Sequence, residues 1–257
     1  MSLTDNAYGK KAVQQALLGM MREVDRVCRE EGIEYSLLGG TMLGAVREKG
    51  FIPWDDDIDL VFTREALNRF TQVFDRKSPE YALCADDSWV LRVVRKDRRL
   101  GGEFIDLFCY APVKQSSLLQ KWRVFRLMTL QGMLKREVDY SRYSPVQRAL
   151  LLGTALLSRL GSRESWLARY RAVAADTKRC RDDLLFVPDE CFGCLKLHYF
   201  ADCARDFVDA PFEDAVFRMS ARADEMLRLQ YGDYMTPPPE EERVSSHDSQ
   251  RAKGSAA

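Results

Sequence analysis

Apolar residues at Ala12, Leu17, Met20, Met21, Val24 and Val27 recur at helical spacing, which predicts a long amphipathic helix from about residue 8 to residue 31, ended by Gly32. An apolar run from Tyr35 to Leu38 stops at Gly39-Gly40, a turn that leads into a short helix opened by Thr41. Gly50 and Pro53 close the next loop. Asp57 to Phe62 then begins as polar and apolar residues in alternation, the pattern of a strand. Thr63 caps a helix from Arg64 to about Arg76, with Leu67, Phe70, Val73 and Phe74 as its core-facing stripe. Short strands are predicted over 81–84, 89–94 and 103–108, separated by turns at Asp86-Asp87 and Gly101-Gly102. Residues 116–178 are helical in pattern, with breaks near 140–145 and at Gly161. Within them, Ala149 to Ser158, bracketed by Arg148 and Arg159, reads as a buried helix or, alternatively, an interfacial segment. A helix over 220–229 follows, and residues 248–257, small and polar, read as a disordered tail.

Composition narrows the possibilities. Lys plus Arg and Asp plus Glu balance at 39 each in 257 residues, which argues against non-specific nucleic-acid binding as the main activity. The N-terminal stretch has no apolar signal core, and no run reaches the length that spans a bilayer, so a cytoplasmic protein is expected. Seven scattered cysteines fit reduced thiols. Cys191-Phe192-Gly193-Cys194 has the spacing of a zinc or redox pair, which Cys180, His198 and Cys203 would complete; the default reading is buried, unreactive thiols.

The candidate chemistry lies in the acidic strand and the turn before it. Side chains alternate along a strand, so Asp57 and Asp59 share one face, and Asp55 joins them if the strand starts early. Carboxylates on one face repel each other, so either water reaches them or a cation offsets them; oxygen-only ligands favour Mg²⁺ or Mn²⁺ over zinc. Asp106 sits inside the apolar strand Phe104-Ile105-Asp106-Leu107-Phe108 and needs a positive partner. Two readings stand: an ion pair with Arg92, Arg95, Lys96, Arg98 or Arg99, or a metal shared with Asp57 and Asp59. The Gly39-Gly40-Thr41 turn suits a phosphate. Arg47 and Lys49 would either bind donor phosphate or hold the aspartate cluster, and Trp54 would either stack on a base or quaternary ammonium or pack in the core. The basic helices, with Lys121, Arg123, Arg126 and Arg148 among aromatic residues, are either a solvated face or a surface for anionic lipid or an anionic acceptor.

The block Gly39-Gly40-Thr41, Leu43-Gly44-Ala45-Val46-Arg47 and Gly50-Phe51-Ile52-Pro53-Trp54-Asp55-Asp56-Asp57-Ile58-Asp59 resembles the signature of the LicD family of phosphocholine and related phospho-alcohol transferases, which includes the fukutin-type enzymes. Phe104 to Phe108, Pro211-Phe212-Glu213-Asp214 and Tyr231-Gly232-Asp233-Tyr234-Met235 extend the likeness. The resemblance implies an α+β fold of the nucleotidyltransferase type, a small mixed sheet flanked by helices, over residues 1–247 with a mainly helical insertion at about 115–180. It implies Asp57, Asp59 and Asp106 as the catalytic, metal-holding carboxylates, with Asp55 as a further acidic position beside the metal, and the glycine turn Gly39-Gly40-Thr41 near the donor phosphates; Arg47, Lys49 and Trp54 stay candidates for donor contacts. The implied activity is Mg²⁺- or Mn²⁺-dependent transfer of phosphocholine, or a similar phospho-alcohol, from CDP-choline or another CDP-alcohol onto a hydroxyl of a lipopolysaccharide, teichoic acid or capsule precursor, with release of CMP. The implied partners are that donor and a glycan or lipid-linked glycan, with no nucleic acid, and with peripheral contact at the inner face of the cytoplasmic membrane. Two alternatives remain at this stage: nucleotidyl transfer from an NTP with release of pyrophosphate, and a non-catalytic module that binds a glycan or membrane partner. One departure from the family pattern is Cys109-Tyr110-Ala111-Pro112-Val113, where relatives continue with proline, an apolar residue and aspartate.

Overall fold

A computed structural model describes residues 8–85, 88–97, 102–135 and 144–243. The chain divides into two compact units, the first of residues 1–84, 91–110 and 199–257 and the second of residues 85–90 and 111–198.

The first unit opens with α1 (Lys11–Glu31), β1 (Ser36–Leu37), α2 (Gly39–Arg47), β2 (Ile58–Phe62), α3 (Arg64–Lys77) and β3 (Tyr81–Cys84), and continues with β4 (Leu91–Arg95) and β5 (Phe104–Cys109). The sheet order is β1-β2-β5-β4-β3, with β2 and β5 parallel and every other pair antiparallel. This is an α+β fold of the nucleotidyltransferase type. Ile58, Leu60, Ile105 and Leu107 are buried on β2 and β5, each contributing about 1.5–3 kcal/mol on burial. Phe62, Phe70 and Phe74 pack ring on ring at 5.3 and 4.7 Å and tie β2 to α3. Gly32 closes α1 in the left-handed region (φ 59°), where its amide reaches the Arg29 carbonyl at 3.3 Å. The Thr63 side chain accepts from the Ala66 amide at 3.2 Å, as its position before α3 predicts.

In the second unit, β6 (Ala111–Lys114) pairs antiparallel with β7 (Cys180–Phe186) beside α4 (Ser117–Leu134), α5 (Pro145–Ser158) and α6 (Arg163–Ala174). Leu127, Leu134, Tyr170, Phe186 and Leu195 form its core, with Trp89 against it. Arg123, expected on a basic surface, is instead buried. It donates to the carbonyls of Val173 and Ala174 at 3.0 and 2.7 Å, closing the C-terminal end of α6 where a cation is favoured. The buried-helix reading of Ala149 to Ser158 is corrected too. Ser144 and Gln147 form a capping box at the start of α5, yet the buried residue of this helix is Leu151, while Leu150 and Leu156 are 66% and 65% exposed. A β-carbon on Gly132 of α4 would lie 2.6 Å from Thr154 Oγ1, so α5 approaches α4 along that line and presents the rest of its leucines outward.

The chain returns to the first unit through β8 (Tyr199–Phe200), the hairpin β9 (Phe207–Phe212) and β10 (Ala215–Ser220), and α7 (Ala223–Tyr231). The expected helix over 220–229 starts three residues later, and the hairpin before it was not predicted. Ser220 N donates to Ser36 Oγ at 2.9 Å, which fixes the hairpin beside β1.

Candidate active site

The parallel pairing of β2 and β5 sets Asp59 directly opposite Asp106, and Asp57 precedes Asp59 by two residues, in phase with it. On the other side of β5, Arg92 is opposite Asp106 in register and donates from Nε to its Oδ1 at 2.7 Å, with its guanidinium 3.8 Å from the centre of the Phe104 ring. Arg92 is therefore a cationic partner of this half-buried strand aspartate, as its place in an apolar strand required. Arg95 lies over Tyr81, and Lys96 donates to the Ser78 carbonyl, so these cations of the same cluster hold the sheet edge. Arg98 and Arg99 lie outside the described residues.

The turn before the strand differs from expectation in one respect. Helix α2 begins at Gly39, not at Thr41, and Gly39 adopts a φ of 54° that other residues rarely take. Thr41 faces the sheet: its hydroxyl accepts from the Asp59 amide at 2.9 Å, locking the helix to the strand that carries the acids. A β-carbon at Gly39 would sit 3.3 Å from Asp59 Oδ2, and one at Gly40 2.8 Å from Asp55 Oδ2. Both glycines thus make room for carboxylates, and Asp55 lies beside the N-terminus of α2. Burial, then the charge of Asp57 and a hydrogen bond with it, push Asp55 well above the ordinary carboxylate range.

The remaining candidates divide. Arg47 donates to Glu48 at 2.8 Å and to the Tyr234 carbonyl at 3.0 Å, and its side chain is almost wholly buried. Lys49 is exposed, with φ 60° and its amine on the Val46 carbonyl at 3.1 Å. Trp54 is half-buried, with the Tyr8 ring edge-on at 5.7 Å and the Arg243 guanidinium 5.4 Å over its ring.

Three supporting residues escaped the sequence reading. Asp56, fully buried, is ion-paired with Lys10 at 3.1 Å. Gln14 of α1 donates to the carbonyls of Ile52 and Asp55 at 3.2 and 2.9 Å. Glu213, at the tip of the β9–β10 hairpin with φ 57°, takes the Phe51 amide on its carboxylate at 3.1 Å and gives its own amide to the Lys49 carbonyl at 2.7 Å. The signal for Glu213 was its place in the Pro211 to Asp214 block; nothing local marked Lys10 or Gln14.

A divalent cation fits the chemistry of the acidic set, since its charge would relieve the repulsion between the Asp55 and Asp57 carboxyl groups. As the side chains stand, no three His, Cys, Asp or Glu groups among the described residues are disposed to hold a metal. Of the candidate zinc or redox pair, Cys191 is exposed rather than buried, its sulfur is 3.3 Å from that of Cys194, and its thiol is drawn down to about 6 by hydrogen bonding with Cys194 and with backbone amides.

Residues 32–116 match the model of the family described as LicD/FKTN/FKRP, nucleotidyltransferase domain. The lipopolysaccharide cholinephosphotransferase LicD of Haemophilus influenzae is 28% identical over 256 residues, covering 91% of this chain and 94% of that protein. These two matches support the LicD family for this chain. An uncharacterised protein of Rickettsia prowazekii is 31% identical over 99 residues, 35% of this chain and 36% of that one. The LicD segment contains every aspartate of the acidic set together with Arg92, while Glu213 and Arg243 lie beyond it.

Proposed function

We propose that this chain is a phosphotransferase that moves phosphocholine, or a closely similar phospho-alcohol, from a CDP-linked donor onto a hydroxyl of a cell-surface glycan and releases CMP. The observation that carries the reading is the β2–β5 register that sets Asp59 beside Asp106 within the LicD segment. The relative that spans most of the chain, a lipopolysaccharide cholinephosphotransferase, supports phosphocholine and a lipopolysaccharide acceptor.

In this reading Asp57, Asp59 and Asp106, joined by Asp55, would hold Mg²⁺ or Mn²⁺, which when bound would neutralise charge at the donor diphosphate and lower the pKa of the attacking hydroxyl. Asp59 or Asp106 takes the acceptor proton, and one oxygen of Asp106 also accepts from Arg92. Arg92 orients Asp106, and the Thr41 hydroxyl fixes the backbone of Asp59. The α2 amides at Gly39 and Gly40 face the donor phosphates. Trp54 and Tyr8 receive the quaternary ammonium where Arg243 now lies, a position that already holds a cation against an indole ring. Arg47 and Lys49 keep the acidic loop in place through their carbonyl contacts.

The reading also places the protein peripherally at the inner membrane face. Leu118, Trp122 and Phe125 of α4 and Leu150, Leu156 and Leu157 of α5 are exposed; neither helix carries an acidic residue, and Lys121, Arg126 and Arg148 are exposed among them. Among the described residues no helix is long and apolar enough to cross a membrane.

The test is a donor panel of CDP-choline, CDP-ethanolamine, CDP-glycerol, CDP-ribitol and CTP with Mg²⁺ or Mn²⁺ and lipopolysaccharide, read by mass spectrometry. CMP from CDP-choline with a phosphocholine mass gain on the glycan supports the proposal. Pyrophosphate from CTP would move the assignment to nucleotidyl transfer.

A further inference from the structure

The second unit carries a pair of thiols that the transfer reaction does not use. Cys191 and Cys194 stand at the two ends of one tight turn, in which the Cys194 amide donates to the Cys191 carbonyl at 3.0 Å and the Leu195 amide to the same oxygen at 3.3 Å. A turn of this kind keeps its end Cα atoms within about 7 Å, and a disulfide bridges about 4.4–6.8 Å. The two sulfurs are 3.3 Å apart. Both flanks of the turn are anchored. The Glu190 carbonyl accepts from Gln131 Nε2 at 2.9 Å, and Leu195 is fully buried in the core of the unit. The pair therefore sits on a fixed base, and closing it asks for little beyond rotation of the two side chains.

The sulfurs differ in state. Cys191 is exposed, and a β-carbon on the neighbouring Gly193 would have open space around it, so a reagent reaches this sulfur from solvent. Hydrogen bonding from Cys194 and from the backbone amides of the turn draws the Cys191 thiol down to about 6, which makes it largely thiolate at pH 7. Cys194 is half-buried; the hydrogen bond with Cys191, burial and the Glu190 carboxylate hold it well above its ordinary value. An exposed thiolate in contact with a protonated thiol is the arrangement in which the first sulfur attacks and the second resolves. The buried thiols of Cys28 and Cys203 are pushed up instead, each chiefly by burial.

We propose that Cys191 and Cys194 are a redox-active pair that closes into an intramolecular disulfide by exchange with a low-molecular-weight disulfide. The Cys191 thiolate attacks one sulfur of that disulfide. Its S–S bond breaks, a mixed disulfide forms on Cys191, and the first thiolate leaves and takes a proton from solvent. The Cys194 sulfur then attacks the Cys191 sulfur, the mixed bond breaks, and the second thiolate leaves with the Cys194 proton. Two thiols of the chain are oxidised, and one disulfide is reduced to two thiols. The pair lies in the second unit and does not depend on the reaction proposed for the acidic set.

The experiment is incubation of the reduced full chain with glutathione disulfide at pH 7 in the presence of a chelator, followed by unfolding, alkylation and mass mapping. Residues 182–196 form one tryptic peptide that contains both cysteines. The expected product is that peptide short of two hydrogen atoms, with the remaining cysteines alkylated, and dithiothreitol should restore both thiols. Cys194→Ser should stop at a stable adduct of one glutathione on Cys191. Cys191→Ser should slow the loss of thiol from this peptide by at least about tenfold, because Cys194 stays protonated. Circular dichroism checks that each variant keeps the parent's fold. No loss of thiol from residues 182–196, oxidation of other cysteines before this peptide, an adduct on the parent chain that never closes, or equal rates in Cys191→Ser and the parent would each overturn the proposal.

Discussion

Glu213 shows how one residue can hold the acidic loop from a distance. Its carboxylate takes the Phe51 amide and its own amide meets the Lys49 carbonyl, so the loop that delivers the acidic run is pinned at both ends of Gly50. Glu213→Ala is expected to destabilise the chain by about 1–3 kcal/mol, since it leaves a partly buried amide without its acceptor; urea unfolding measures this, and an unchanged midpoint would contradict it. Asp56 gives a second test. The Lys10–Asp56 pair is almost fully buried, so Asp56→Ala is expected to cost about 3–5 kcal/mol, and Lys10→Met with Asp56→Ala less than the sum of the two. Additive losses in the double-mutant cycle would show that the two side chains do not interact. The legibility of these residues follows from sequence separation. Asp57 and Asp59 were readable because a strand alternates with period two, and Asp106 because a carboxylate inside an apolar strand demands a partner. Glu213 is 162 positions from the amide it binds, and Lys10 is 46 from Asp56; no local pattern encodes either meeting.

At the scale of elements, the central strands and the flanking helices α1 and α3 were readable because spacing and capping agreed. The β9–β10 hairpin was not, because its two-residue turn is Glu213-Asp214, without the Asn-Gly or Gly-X chemistry that marks such turns, and because Pro211 lies within the first strand. Helix α5 failed for a different reason: an apolar run reads the same whether it is covered by protein or left outward. Packing of β6 against the segment after α6 also carries a pH signature. Hydrogen bonding to Lys114 holds Asp176 below its ordinary value near 3.8. A carboxyl depressed in the folded state adds stability above the unfolded pKa and loses it as pH falls through the folded one. The chain should therefore lose stability below about pH 4, with Lys114→Met removing that part of the acid dependence; a variant with the parent's acid profile would contradict the assignment.

Across the whole molecule, the charge balance of 39 against 39 hides a local asymmetry: the second unit carries the acid-free helices α4 and α5, and the first carries the acidic set. If the exposed leucines of α5 meet a bilayer, Leu150→Ser with Leu156→Ser should lower co-sedimentation with anionic vesicles by about tenfold or more while leaving the melting temperature within a few degrees. Unchanged sedimentation would remove the membrane from the account. If the carboxylates of β2 and β5 carry out phospho-alcohol transfer, CMP release from CDP-choline, with Mn²⁺ and lipopolysaccharide, should separate the parent chain from Asp59→Asn and Asp106→Asn. Turnover is expected in the parent and a loss of at least about a hundredfold in each variant, at unchanged circular dichroism. Variants that release CMP at the parent's rate would contradict it.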